Sequence, residues 1–429
     1  NKTYMLFMIV IIRIDENVVV ILFKIKFTTM LSDKQKEIIL STVPLLRAGG
    51  VALTTHFYSR MFTHHPELKN LFNMGNQQSG KQQTALAMAV LAYAENISNP
   101  AVLMPAVDLI GHKHTSLNIQ PEQYHIVGTH LLASIKEVLQ DLATDDVLDA
   151  WKAAYGQLAE LMIGHEAKMY ESKKQTNGQW VGWKNFKVLK KVQESTEITS
   201  FYLVAEDGSA VPDFTPGQYI SVQVFLPNIN LHQIRQYSIS CAPNKDYLRI
   251  SVKRERNEKL DINGMISNFL HDEVHEGNVV AISAPAGNFT LQNLFPKKVF
   301  ISGGIGQTPL MSMLESLNQS TKSNELVWIH ACRNAEVRAF ADQIESIAKE
   351  DQKVKQHQFY EVVNETLAGK EVYEGMLDFS KIEKWQFDPE AEYYICGPKP
   401  FIEKAVKELT DNKINEKYIF FEEFGPKSI

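Results

Sequence analysis

The sequence predicts three folding units in tandem: an all-α domain, an antiparallel β-barrel and a doubly wound α/β domain. Three observations lead there. Apolar residues recur at helical spacing over 30–170. Short strand-like segments separated by turn residues fill 183–292. From 296 to 429, strand, glycine turn and helix follow one another. A chain of 429 residues has room for about three domains of ~150 residues each.

Hydrophobic content of 44% and charged content of 22% are ordinary for a globular protein. A net charge of -6 gives no reason to expect nucleic acid or an anionic membrane as partner. Cys241, Cys332 and Cys396 are too scattered for a disulfide framework and form no C-x-x-C pair. That usage fits a reducing compartment, and a cytoplasmic location is expected. Residues 1–29 stand apart. Their apolar runs, 4–12 and 18–23, are broken by Arg13, Asp15 and Glu16. Neither approaches the ~20 residues needed to span a bilayer, and no small-residue cleavage site follows. After Met30, Ser32 and Gln35 make a capping box. The expectation is a leader over 1–29 that is not part of the fold; the alternative is a short membrane-surface anchor.

In the helical unit, 30–170, each polar residue can be set against the helical period. Val51, Thr54, Tyr58, Met61 and Phe62 share one face, so Tyr58 points inward. Gln82 lines up with Leu86, Ala89, Val90 and Tyr93. His114 lines up with Leu103, Ala106, Val107 and Ile110, whereas His112 does not. Pro121 opens a helix in which Tyr124, Val127, Gly128 and Leu131 align. Glu166 ends a stripe of Leu148, Trp151, Tyr155, Leu158 and Met162. A lone inward histidine is usually a satisfied core residue. Five polar groups on five apolar faces need partners, and an iron porphyrin would supply a reason for all of them. His114 would ligate the iron, Tyr124 and Glu166 would orient it and raise its basicity, and Tyr58 and Gln82 would lie across the ring.

The run His56-Phe57-Tyr58-Ser59-Arg60-Met61-Phe62-Thr63-His64-His65-Pro66-Glu67-Leu68, then Leu71-Phe72-Asn73-Met74 and Lys113-His114-Thr115-Ser116, resembles the globin domain of bacterial flavohaemoglobins. The resemblance covers nearly all of the chain from Met30. It implies that His114 is the proximal haem ligand, that Phe72 packs on the haem, and that Leu86 flanks the oxygen site with Tyr58 and Gln82. Tyr124 and Glu166 match the family's relay to the proximal histidine, and Lys113 sits beside the ligand.

After a polar linker, 171–182, the period shortens. Strands are expected at 186–189, 198–204, 219–225, 236–240, 247–252 and 279–283. Arg235-Gln236-Tyr237-Ser238 is expected to begin one of them. It offers a cation for a pyrophosphate, an aromatic face for a flavin ring and a hydroxyl near its reactive nitrogen. Alone, these four residues would read as an ordinary amphipathic strand; ahead of a nicotinamide-type unit they read as a flavin site. Gly264-Met265-Ile266-Ser267 opens a helix whose amides could hold phosphate. Similarity to ferredoxin-reductase-type modules implies FAD, with Tyr219 and Tyr237 on the flavin and Ser267 on the pyrophosphate. The stretch 254–263 is longer than that family leads one to expect.

In the last unit, a strand at 299–301 leads through Gly303-Gly304-Ile305-Gly306-Gln307-Thr308-Pro309 into a helix at 309–317. A second strand at 326–330 precedes a helix at 337–348, and a third, Tyr393-Tyr394-Ile395, runs into Cys396-Gly397-Pro398. The glycines remove side chains where backbone must approach a pyrophosphate. This is not the G-x-G-x-x-G fingerprint; it is similar to the G-G-x-G-x-T-P of the reductase family. Cys396 reads either as core packing or, by that similarity, as the residue beside the nicotinamide. Arg333 and Arg338 read either as partners of a 2'-phosphate or, more simply, as solvated surface charge, so NADH and NADPH both stay open. Glu422-Glu423-Phe424-Gly425 resembles the family's closing motif against the flavin, with Glu422 facing Lys113.

Residue logic alone leads to haem oxygen chemistry driven by a flavin reductase. The resemblance implies more: NAD(P)H reduces FAD, FAD reduces haem b, and the haem turns nitric oxide and O2 into nitrate, with no obligatory protein partner. Nothing in composition or spacing names nitric oxide. Two rivals remain: an oxygen or nitric oxide sensor or carrier whose reductase keeps iron ferrous, and a flavin reductase acting on other acceptors.

Overall fold

The computed structural model describes residues 4–14, 17–27, 31–257, 262–320, 325–350, 354–363, 371–383 and 385–424. Strands β1 (Tyr4–Ile14) and β2 (Asn17–Phe27) pair antiparallel in a sheet of their own, joined to neither larger sheet.

Six helices follow: α1 (Asp33–His64), α2 (Met74–Gln78), α3 (Lys81–Glu95), α4 (Met104–Ser116), α5 (Pro121–Leu139) and α6 (Asp145–Gln175). The expected capping box starts α1: the Ser32 hydroxyl accepts from the Gln35 N–H, and the Gln35 side chain answers the Ser32 N–H. Although α1 is long and apolar enough to cross a bilayer, it packs on α3, α5 and α6. Phe57, Tyr58 and Met61 are buried there among Leu131, Ala150 and Trp151, each large apolar side chain contributing about 1.5–3 kcal/mol. Val51, expected on that inward face, is 48% exposed. Helix α6 runs to Gln175 and takes in the first part of the expected linker.

The middle unit is a six-stranded antiparallel sheet built from β3 (Trp183–Gln193), β4 (Ile198–Ala205), β5 (Tyr219–Leu226), β6 (Leu231–Ser238), β7 (Leu248–Lys253) and, after the two-residue strands β8 (Arg256–Asn257) and β9 (Ile262–Asn263) and helix α7 (Met265–Asp272), β10 (Val279–Ser283). Its order is β6-β5-β10-β3-β4-β7. The sheet curls until its ends meet: Ile239 bridges Ile250, and the Ser240 N–H donates to the Arg249 carbonyl at 2.8 Å. Arg235 to Ser238 end β6 rather than begin a strand.

The last unit holds β11 (Lys297–Gly303), α8 (Gln307–Asn318), β12 (Glu325–Cys332), α9 (Ala341–Glu350), β13 (Val354–Tyr360), β14 (Val372–Glu374), β15 (Ala391–Gly397), α10 (Lys399–Asp411) and β16 (Ile419–Glu423). All six strands are parallel in the order β14-β13-β12-β11-β15-β16. Strand order therefore reverses between β11 and β15, the crevice where open α/β sheets bind ligands. Helix α9 begins at Ala341 rather than at 337, because Ala335–Val337 form a separate 3-10 turn and Phe340 adopts φ 58°. Arg338 is not a solvated charge: it is buried, donating to Gln356 at 3.2 Å and lying 3.6 Å from Glu345. Arg333 is exposed and pairs with Glu197 of the barrel.

Candidate functional site

One cavity of about 1300 Å³ runs through all three units. At its helical end it is lined by Tyr58, Phe72, Gln82, Leu86, Lys113, His114 and Tyr124. In the barrel Tyr219, Arg235, Gln236, Tyr237, Ser238 and Ser267 line it, and Thr308, Glu422 and Phe424 close it at the parallel sheet. Glu166 stands behind His114. Gly303, Gly304, Gly306, Gln307, Pro309, Cys396 and Gly397 lie outside the lining, and Gly425 lies outside the described residues.

The helical end is organised around His114. Its Nδ1 lies 2.8 Å from Oε1 of Glu166 and 2.9 Å from the Tyr124 hydroxyl, which itself donates to the same Oε1 at 2.5 Å. A carboxylate can only accept, so Nδ1 carries the imidazole proton and Nε2 keeps its lone pair. Burial, then the Glu166 charge, holds the Tyr124 phenol well above its ordinary value, so the hydroxyl stays a donor. Helix α5 approaches α6 closely because position 128 is glycine. A Cβ there would stand 2.3 Å from the Tyr155 ring, whose hydroxyl donates to the Tyr124 carbonyl at 2.5 Å. Across the cavity, burial pushes the Tyr58 phenol up to about 12, partly offset by a hydrogen bond with Gln82. The Phe72 ring meets Tyr58 edge-on at 5.6 Å. A half-buried imidazole whose Nδ1 is already engaged, leaving Nε2 for a ligand, set in apolar walls of Phe72, Leu86, Val90 and Val127, fits an iron porphyrin.

The barrel end fits a flavin nucleotide. Half-buried Arg235 has no carboxylate partner among the described residues, leaving a cation for an anionic ligand. Burial drives the phenols of Tyr219 and Tyr237 well above their ordinary values, so both are neutral aromatic faces. Gln236 donates to the Ser221 hydroxyl at 3.2 Å. The Ser267 hydroxyl is already engaged, donating to the Gly264 carbonyl and accepting from the Glu255 N–H, both at 3.2 Å. Ser251, Lys253 and Glu255 also line this end, and sequence reasoning missed them. The signal for Ser251 and Lys253 was the alternation of polar residues along β7; Glu255 lies just past its end.

At the parallel sheet, two of the three glycines answer to protein packing. A Cβ on Gly306 would stand 2.1 Å from the Cys396 carbonyl oxygen, and one on Gly303 would meet Phe401 and Pro398 at 3.1 Å. Gly304 differs: its φ is 54° and a Cβ would meet nothing within 4 Å, which leaves its backbone open to a ligand. The buried Gln307 amide bonds both backbone groups of Ala339 at 3.2 Å, and the Thr308 hydroxyl donates to the Ile305 carbonyl at 3.0 Å. Cys396 is buried at the end of β15.

Three family models match the chain in succession: Globin over 55–162, Oxidoreductase FAD-binding domain over 185–291 and Oxidoreductase NAD-binding domain over 300–407. A flavohemoprotein of Bordetella parapertussis is 47% identical over 400 residues, covering 92% of this chain and 99% of its own length. The crystal structure of flavohemoglobin from Malassezia yamatoensis, with bound FAD and heme, superposes with a TM-score of 0.82 at 27% identity, covering 92% of this chain and 100% of that one. The FAD/NAD-binding domain of nitric oxide dioxygenase from Vibrio cholerae is 34% identical with a TM-score of 0.51, covering 57% of this chain and 99% of that domain.

Proposed function

The chain belongs to the flavohemoprotein family, and on that premise we propose that it is an NAD(P)H-dependent nitric oxide dioxygenase. When bound, the nicotinamide and FAD supply the conversion of a hydride into single electrons, and the haem supplies an iron at which dioxygen and nitric oxide combine to nitrate. Oxidation of nitric oxide to nitrate releases three electrons while dioxygen takes up four, so each turnover draws one from the nicotinamide.

The single observation that carries this reading is the His114–Tyr124–Glu166 constellation facing Tyr58 and Gln82 in one cavity with the flavin residues. Glu166 accepts the hydrogen bond from Nδ1 and holds the tautomer, so Nε2 of His114 would ligate the iron. The negative charge behind the ring makes the ligand more electron-donating. Tyr58 stays protonated far above neutral pH and would act with Gln82 as the hydrogen-bonding pair across the cavity from His114. Phe72 and Leu86 exclude water. Arg235 would balance pyrophosphate charge, Tyr219 and Tyr237 would flank the flavin ring, and the Gly304 turn would receive the nicotinamide dinucleotide.

Replacing Tyr58 by Phe tests the assignment. Losing one hydrogen bond worth about 0.5–1.5 kcal/mol should weaken oxygen affinity roughly 2- to 12-fold, with flavin reduction by NADH unchanged. Oxygen affinity equal to that of the parent protein would remove Tyr58 from the site.

A further inference from the structure

His112 was set aside in the helical pattern because it does not face the pocket. It does not face solvent either. Its Nδ1 accepts the backbone N–H of Gly287, from the barrel, at 3.1 Å. One turn earlier on α4, Asp108 Oδ2 accepts from the Asn288 side chain at 2.8 Å, while its Oδ1 lies 3.0 Å from Nε2 of His165 on α6. One turn later the Ser116 hydroxyl accepts from the buried Ser221 hydroxyl of β5 at 2.9 Å. Residues four apart follow one another along a single helix stripe, and a residue two positions away lies on the opposite side. Asp108, His112 and Ser116 therefore form one face of α4, turned to the barrel, and His114 occupies the other.

The barrel loop they meet is the one behind Tyr219. Ala286 bridges Tyr219, and a Cβ on Gly287 would stand 2.9 Å from the Tyr219 ring. Helix α4 is also pinned from behind: a Cβ on Gly111 would stand 3.0 Å from the His165 ring and 3.1 Å from the Met169 sulfur. One short helix thus carries the iron ligand on one face and grips the backing of the flavin site with the other.

We propose that the Asp108–His112–Ser116 stripe is a docking element that sets the position of the flavin relative to the haem, with His112 a positioning residue for the interdomain electron step. The inference rests on the reading of the two cofactor sites given above. Its central contact is the Gly287 N–H donating to His112 Nδ1. Leucine at 112 fills the space but cannot accept that proton, whereas the side-chain oxygen of asparagine can.

The test uses the full-length holoprotein mixed anaerobically with NADH in a stopped-flow spectrometer. Flavin bleaching reports the nicotinamide step, and the haem Soret shift reports the interdomain step. His112→Leu is expected to bleach flavin at the parent rate within twofold and to reduce haem at least tenfold more slowly, with His112→Asn restoring most of the rate. Amide hydrogen exchange at 286–288 should be protected in the parent and His112→Asn proteins and fast in His112→Leu. Asn288→Ala, on the barrel side, should slow haem reduction in the same selective way and decides the question if His112→Leu does not fold. Haem reduction within twofold of the parent in these variants, an equal loss in both steps, or an asparagine variant as slow as leucine would overturn the proposal. A parent protein whose flavin bleaches while its haem stays ferric would overturn the underlying cofactor reading as well.

Discussion

Replacing Glu166 by Gln probes the centre of the helical site without changing its shape. Both the His114 Nδ1–H and the Tyr124 hydroxyl converge on one carboxylate oxygen, at 2.8 and 2.5 Å, and the Glu166 side chain is only 4% exposed. An amide oxygen can accept both bonds but carries no charge. Hydrogen bonds to charged groups contribute about 1.5–3 kcal/mol against about 0.5–1.5 for neutral ones. The substitution therefore costs about 1 kcal/mol per bond, or about 2 kcal/mol for the pair. At 1.4 kcal/mol per tenfold, that is roughly a 30-fold loss of haem affinity, inside the ~10–100-fold range for groups that orient a metal ligand. The assay is transfer of haem to an excess of a haem-free acceptor globin, followed in the Soret band. Haem loss should accelerate roughly 30-fold, and the iron–histidine stretch of the ferrous form should fall as the ligand becomes less electron-donating. Haem retention within about threefold of the parent, with an unshifted stretch, would refute the assigned role of Glu166.

Two further predictions concern the supports of the site. Arg249 on the barrel and Glu315 on α8 form an ion pair at 2.7 Å with side chains 4% and 13% exposed, and Glu315 also accepts from the Ala242 N–H and Gln343. Arg249→Leu leaves a carboxylate without its cation and should cost about 3–5 kcal/mol in urea unfolding, whereas pairing it with Glu315→Leu should recover most of that loss. Lys173 is buried beneath α4, its ammonium 3.4 Å from the Thr115 carbonyl, and burial draws it down to about 8. Because the unfolded chain holds this proton up to an ordinary value of ~10.4, stability is lowest below pH ~8 and rises with pH between ~8 and ~10.4. Lys173→Met should accordingly stabilise the protein by up to about 3 kcal/mol at pH ~7, a gain that vanishes at pH ~10.5; an equal gain at both pH values would refute the linkage.

The site was legible wherever a polar residue broke an apolar helical stripe. Tyr58, Gln82, His114, Tyr124 and Glu166 each announce themselves by standing on an otherwise apolar helical stripe, where a polar group demands a partner. The α4 docking stripe was not legible, because Asp108 and His112 lie on a face that any single-domain reading assigns to solvent. Their partners, Gly287 and Asn288, are remote in sequence. Within the barrel alternation marks the strands, but it places Arg235 to Ser238 at a strand's beginning, whereas the β5–β6 register makes them its end. In the parallel sheet β13, with Gln356, His357 and Gln358, and the short β14 and β16 carry no simple apolar run. Strands β14 and β16 are the edges of that sheet, half-buried and only three and five residues long, too short to show a period. Burial conceals Arg338, whose charge reads as surface until its contacts with Gln356 and Glu345 are seen. The glycine turn was recognised, yet the reason for Gly306, close approach of the Cys396 carbonyl, belongs to a strand nearly a hundred residues further on.

The most direct test of the account is nitric oxide consumption by the purified protein in air-saturated buffer with NADH, read alongside its absorption spectrum and the nitrate formed. The account predicts a haem Soret band together with flavin absorbance, catalytic loss of nitric oxide, two nitrates per NADH oxidised, and loss of this turnover in His114→Ala with flavin reduction intact. Flavin absorbance without haem, or nitric oxide bound once and never converted, would contradict it.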